Sequence, residues 1–216
     1  VKSEYKLSIV SKQDCSHLLE QFHYLSKESK GFKSGFNVGL YHGNALIGVC
    51  IFTGLPVPEI AVGCFGLKRE DQAGLWELSR LCLHPSHQAT EHNLASWFVS
   101  RAIRLLRKEK PCRAILSYAD SRFHTGVIYR AANFKYYGTS APKKDWYVDG
   151  MKTGRGKIGN GEWLPRPVKH RFLIVFDKTL TIHWRESFPL TFVNPCGIIS
   201  LSSKIKQDEV SSCGKI

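Results

Sequence analysis

A carboxylate, a guanidinium and a small set of rings carry the chemistry that this sequence could perform. Asp120 ends the apolar run AILSYAD beside Tyr118. A carboxylate there could accept a proton or hydrogen bond from a nucleophilic amine, and Asp is equally at home capping a turn. The segment after it brings Tyr129 and Asn133 nearby. Arg80 sits inside LWELSRLCLH, where a guanidinium needs a buried partner. His23 and Tyr24 end a helical run, a place that suits packing as well as chemistry. His84, His87 and His92 have H-x2-H-x4-H spacing, but apart from Glu91 no carboxylate or thiolate with the usual spacing completes a metal set. A polar loop is the reading preferred, and no residue is assigned to a metal.

These groups need a scaffold, and residues 75–120 supply it. Residues 75–84 alternate as a strand. Leu75, Glu77, Ser79, Leu81 and Leu83 fall on one face, and Trp76, Leu78, Arg80, Cys82 and His84 on the other. Residues 85–92 read as a polar loop. Residues 93–110 carry Leu94, Trp97, Phe98, Ile103 and Leu105 at helical spacing with basic residues between, and Pro111 stops the helix. Residues 113–119 form a second strand. Strand, helix and strand of this length make a right-handed crossover between parallel strands, and ligands bind beyond the carboxyl ends of such strands. Arg80, the 84–92 loop, Tyr118 and Asp120 are therefore expected to face one crevice.

The rest of the chain extends the pattern. Residues 4–10 read as a strand. Ser11 and Asp14 have capping-box spacing, so a helix starts near Lys12 and carries Leu18, Leu19 and Phe22. Residues 36–42 and 45–53 are strands joined by the Gly43-Asn44 turn. Residues 60–65 read as a short strand, 66–74 as an exposed charged stretch, 125–132 as a short helix, and 133–138 and 171–176 as strands, the last closing the sheet. The sum is an α/β chain with a mixed sheet and helices on both faces. One domain spans residues 1–180, and 181–216 form a C-terminal extension, apolar at 188–201 and tail-like from 202. Residues 139–169 are a basic loop or hairpin insertion. There Trp146, Tyr147 and Trp163 lie among Lys143, Lys144, Lys152, Arg155 and Lys157. Cations neutralise phosphates and aromatic faces stack on bases, so this insertion is a candidate nucleic-acid surface.

The 216 residues are 43% hydrophobic and 12% aromatic, enough for a real core. Thirty-one Lys and Arg against 18 Asp and Glu give a net charge of +13, which favours a polyanionic partner, nucleic acid first. The seven cysteines form no CxxC, and Cys50, Cys64, Cys82 and Cys112 lie in apolar surroundings. Reduced thiols of a cytosolic protein fit that pattern. No signal peptide opens the chain, and no apolar run is long enough to span a membrane. There is no GxSxG, Walker loop or GxGxxG, nor the paired cysteines with HxE of a zinc base deaminase.

The order of elements resembles the acetyltransferase fold of the GNAT superfamily, in which the fourth and fifth strands splay apart and an acyl-CoA thioester enters between them. More narrowly, ELSRLCLHP, NLASWFVSRAIRLL, AILSYAD, GVIYRAANFKYYG, PVKHRFLIVF and the His23-Tyr24 pair resemble the Mom family of DNA-modification proteins of phage Mu and related phages. The resemblance covers roughly residues 22–176. It implies a GNAT-like, mostly antiparallel sheet with splayed central parallel strands. It also implies an enzyme that adds an acetamido (methylcarbamoyl) type group to N6 of adenine in phage DNA, shielding it from host restriction in the bacterial cytoplasm. By motif, the implied catalytic residues are His23, Tyr24, Arg80, Asp120 and Tyr129. Leu83, Gln88, Asn93 and Ser96 are implied on the donor side. Tyr118, Asn133, Lys143, Lys144, Trp146, Lys152, Arg155 and Lys157 are assigned to double-stranded DNA with a flipped adenine. Acetyl-CoA is the implied donor and iron a further implied cofactor. One departure stands against CoA: HQATEHNLAS lacks the glycines whose bare amides hold a pyrophosphate.

Two other functions stay open. An ordinary acyltransferase would act on a small amine, tRNA or protein and turn over acetyl-CoA on a free amine. A non-catalytic DNA-binding module would bind DNA with strong salt dependence and leave no covalent product.

Overall fold

The computed structural model describes residues 4–24, 32–153, 157 and 159–187. The chain enters through β1 (Tyr5–Ile9) and α1 (Lys12–Phe22). The capping box is formed: the Asp14 amide donates to Ser11 Oγ at 3.2 Å, and the Ser11 amide to Asp14 Oδ2 at 3.0 Å. A hairpin of β2 (Phe36–His42) and β3 (Ala45–Gly54) turns at Gly43, whose φ of 59° suits glycine. Then follow α2 (Glu59–Phe65), β4 (Leu75–Leu83), α3 (Pro85–Thr90), α4 (Leu94–Glu109), β5 (Ala114–Asp120) and α5 (Val127–Ala131). Five strands complete the order: β6 (Lys135–Thr139), β7 (Lys143–Val148), β8 (Met151–Lys152), β9 (Glu162–Arg166) and β10 (Lys169–Val175).

Seven strands form the main sheet in the order β1-β2-β3-β4-β5-β10-β6. Among the described strands only β4 and β5 are parallel, because the α4 crossover returns the chain in the same direction. One face carries α4 and α5. Phe98, Val99, Ala102 and Leu106 of α4 are fully buried against Phe52, Leu78 and Ile115 of the sheet. Each large side chain so buried contributes roughly 1.5–3 kcal/mol. The other face carries α1 over Val49, Ile51 and Cys82, and α2 over Leu75, Leu116 and Leu173.

Several expectations are corrected. Residues 60–65 are helical, in α2, because their apolar side chains cap a sheet face that is already complete. The expected loop at 85–92 contains α3, started by Pro85 at its first turn. The segment expected to close the sheet, β10, lies inside it between β5 and β6. It is buried on both faces, by Phe172 on one and Leu173 on the other. The basic insertion is a separate three-stranded sheet, β8-β7-β9. Residues 181–187 run along the α2 face, where Trp184 lies 4.4 Å under the Arg171 guanidinium. The 188–216 reading falls outside the described residues.

The correction that matters most is in β4. Ile51 pairs with Arg80 and Phe52 with Leu78, so Ser79 is an extra residue, a β-bulge. Its hydroxyl donates to the Ile51 carbonyl at 3.1 Å. The bulge reverses the alternation: Trp76, Leu78, Leu81 and Leu83 share the α4 side, while Cys82 packs on the α1 side. Strict alternation had placed Arg80 and Cys82 with Trp76 and Leu78.

Candidate active site

The bulge coincides with a fork. Pairing of β4 with β5 runs from Leu75–Ala114 to Leu78–Ser117 and stops. The last rung is tied by the Ser117 hydroxyl, which donates to the Leu78 carbonyl at 3.1 Å. Beyond it the two strands continue without pairing, and a cavity opens on each side of the gap. One, of about 250 Å³, lies toward α4 and α5 and is lined by His23, Tyr24, Leu83, Ala95, Ile128 and Tyr129 among others. The second, of about 440 Å³, lies toward α2 and the small sheet. Ser79, Arg80 and Tyr118 line both.

Arg80 therefore stands at the seam, its Nη1 donating to the Ser79 carbonyl at 2.8 Å. On the first side, burial and then the charge of Arg80 hold the His23 imidazole down at about 4, so it is neutral at pH 7. Its ring stacks on Tyr24 with centroids 4.5 Å apart, and Tyr24 leans on Phe123 at 4.6 Å. Burial raises the phenols of Tyr118 and Tyr129, so both keep their protons. Ser117 also hydrogen-bonds Tyr129.

The second cavity is basic. Lys33, Arg80, Lys143, Arg166 and Lys169 line it, with one carboxylate among the described lining residues, Glu77. Burial raises the Glu77 pKa against the opposing charges of Lys169, Arg80 and Lys33. The sequence reading passed over Glu77. Its signal was the one that singled out Arg80, a charge inside an apolar strand.

Asp120 is placed differently from expectation and lines neither cavity. Its carboxylate takes Arg122 Nε at 3.1 Å, Nη2 at 2.9 Å and the Arg122 amide at 3.0 Å. Burial raises its pKa, but the Arg122 hydrogen bonds outweigh that and the net shift is downward. It anchors the turn that carries His124 to the first cavity, with the Phe123 and His124 amides donating to its carbonyl.

Gln88 lines the first cavity with Leu83. Asn93 and Ser96 instead line an open groove of about 360 Å³ along α4, with Ser100, Arg101 and Arg104. Asn133 is an exposed turn residue with φ of 66°, outside both cavities. Lys143 reaches the second cavity, and Lys144 is exposed on β7. Trp146 offers no open stacking face: it is 6% exposed, packed edge-on to Trp163 at 5.3 Å and covered by Lys157 at 5.0 Å. Trp163, half exposed, is the ring that faces outward. Lys152 pairs with buried Asp145 at 2.8 Å, and Arg166 also forms an ion pair with that carboxylate. Arg155 lies outside the described residues.

Iron does not fit what is described. Among the described residues no group of three or more His, Cys, Asp or Glu could hold a metal ion. A thioester donor fits better. The first cavity runs between unpaired strand ends to Ala95 in the first turn of α4. A basic groove with Arg101 and Arg104 lies along the same helix. No described helix is long and apolar enough to cross a membrane.

A model of the Mom protein family matches residues 4–158. No curated protein matches the chain. Among solved structures, it is similar to a putative acetyltransferase, yncA, from Salmonella typhimurium with acetyl-CoA. That pair has a TM-score of 0.51 and 11% identity, over 82% of this chain and 96% of that one. It is also similar to ribosomal-protein-S5-alanine acetyltransferase from Vibrio fischeri, with a TM-score of 0.50 and 12% identity, over 82% and 95% of the two chains. At these identities the likeness is one of fold, the GNAT-like fold.

Proposed function

We propose, from the premise that this chain belongs to the Mom protein family, that it is a transferase that modifies N6 of adenine in DNA. The observation that carries this reading is the fork: a neutral cavity and a basic one that meet at Ser79, Arg80 and Tyr118. A group carried in the first can cross to an acceptor held in the second only between the unpaired strand ends.

An acetyl-CoA-type donor would supply a carbon activated as a thioester. Leu83, Gln88 and Ala95 would hold its arm, and Asn93, Ser96, Arg101 and Arg104 its charged end. Arg80 stabilises the negative charge that develops on the transferred group, a role worth about 10²–10³ in rate for a well-placed donor. Tyr118, held protonated, donates a hydrogen bond at the same seam. Neutral His23 and stacked Tyr24 wall the first cavity. Asp120 fixes the turn behind them through Arg122. On the other side a base leaves the duplex to reach the gap, and Lys33, Lys143 and Lys169 meet its phosphates. The family resemblance extends this to an acetamido-type group and to protection of phage DNA from host restriction.

DNA from cells expressing the protein, digested to nucleosides and read by mass spectrometry, tests the proposal. An adenine nucleoside of added mass, absent with Arg80→Ala, is the expected result. Unmodified DNA together with acetyl-CoA turnover on a free amine would favour the ordinary acyltransferase. Salt-dependent binding with no product would favour a binding module.

A further inference from the structure

Resting on the transferase reading above, we infer that Glu77 is the base of the reaction, taking the proton shed by the acceptor amine. Three observations place it there. It is the one carboxylate among the described residues lining the acceptor-side cavity. It precedes the Ser79 bulge, within reach of the charge of Arg80 and acting on Tyr118, two of the three residues that both cavities share. The structure assigns Asp120 to Arg122 by two side-chain hydrogen bonds, whereas Glu77 has no such pairing among the described hydrogen bonds and ion pairs.

The chemistry needs such a group. The N6 lone pair of adenine is delocalised into the ring, so the amine attacks well only as its proton leaves. As the bond from N6 to the transferred carbon forms, one N6–H bond breaks and its proton passes to a Glu77 carboxylate oxygen. The bond broken in the donor sends its electron pair to the leaving group, a thiolate if the donor is an acyl thioester. Glu77 later returns the proton to that thiolate or to water at the cavity mouth. Lys169, Arg80 and Lys33 act on its protonation directly, Lys143, Arg166 and Tyr118 line the same cavity, and the Tyr129 phenol lies within its electrostatic reach. The cations keep the carboxyl ionisable, and burial makes it a stronger base than a free carboxylate.

The test compares Glu77→Gln and Glu77→Asp with the full-length protein in three readouts: nucleoside mass spectrometry for rate, fluorescence anisotropy for DNA affinity, and the pH–rate profile. Glu77→Gln should lose about 10²–10⁴-fold in rate, as expected for a removed base, with DNA affinity within two-fold. The wild-type rate should fall as pH drops through the Glu77 pKa, and this acid limb should vanish from the residual Gln rate. Glu77→Asp should recover part of the rate and keep the limb. A Gln variant within ten-fold of wild type that retains the limb overturns the inference while leaving the transferase reading intact. So does an Asp variant that folds and binds DNA yet is as slow as the Gln variant. A wild-type protein that leaves DNA unmodified overturns the transferase reading, and the base with it.

Discussion

At the residue scale, the site is a set of groups whose ionisation is fixed by what surrounds them. Arg80 carries the seam, so Arg80→Ala should cut the modification rate by about 10²–10³-fold while DNA affinity stays nearly unchanged. Nucleoside digests and anisotropy measure the two. His23 shows how burial writes a pH dependence. Its folded pKa is about 4, below the usual value of about 6.5 for an unfolded chain. A depressed pKa means that the folded state binds fewer protons between those values. The His23 contribution is therefore fully present above about pH 6.5 and is lost as pH falls through about 4. His23→Gln should flatten this part of the stability curve, seen as a smaller drop in thermal midpoint from pH 7 to pH 4. Asp120 is also depressed, so its contribution is lost only below about pH 4. Asp120→Asn should cost about 1 kcal/mol in chemical denaturation at neutral pH, a modest figure because Arg122 is partly exposed.

At the element scale, a one-residue bulge and one tied rung create the fork, and short helices wall it. Gly126 opens α5, which brings Ile128 and Tyr129 to the first cavity. Its φ is 75°, and a Cβ there would meet the Phe172 ring at 2.3 Å. Gly126→Ala should cost about 2–4 kcal/mol, from positive-φ strain plus overpacking, measured as a lowered denaturation midpoint. Such elements were legible in the sequence to very different degrees. The β4–α4–β5 crossover was plain, because helical and strand periods are sustained over long stretches with Pro111 as a stop. The capping box at Ser11 and the turn at Gly43 were plain for similar local reasons. The bulge was not, since an inserted Ser79 leaves the residue types unchanged and only reverses which of them face inward. Residues 60–65 misled because a short apolar run suits either strand or helix until the sheet it covers is known. The same blindness hid the burial of Trp146, which depends on cross-strand pairing with Trp163.

At the scale of the whole molecule, positive charge among the described residues gathers on two faces of the sheet. Arg101, Arg104 and Lys108 lie exposed on α4, on the side of the first cavity. Lys33, Lys143 and Lys169 line the mouth of the second, on the α2 side. A duplex cannot contact both faces at once while one of its bases occupies the gap. The reading that the acceptor enters from the α2 side therefore predicts unequal salt effects. Each phosphate neutralised by a cation releases condensed counterions, which steepens the fall of affinity with salt by roughly 0.9 in the log–log slope. Lys143→Ala should weaken DNA binding and make that slope shallower by about 1, since it loses one phosphate contact. Arg104→Ala should leave the slope unchanged, because its charge faces the donor side. Anisotropy titrations from low to physiological salt, with wild type and both variants on one duplex, measure this directly. Equal shifts for the two variants would mean that binding follows overall charge and not the basic cavity, and the assignment of donor and acceptor sides would fall.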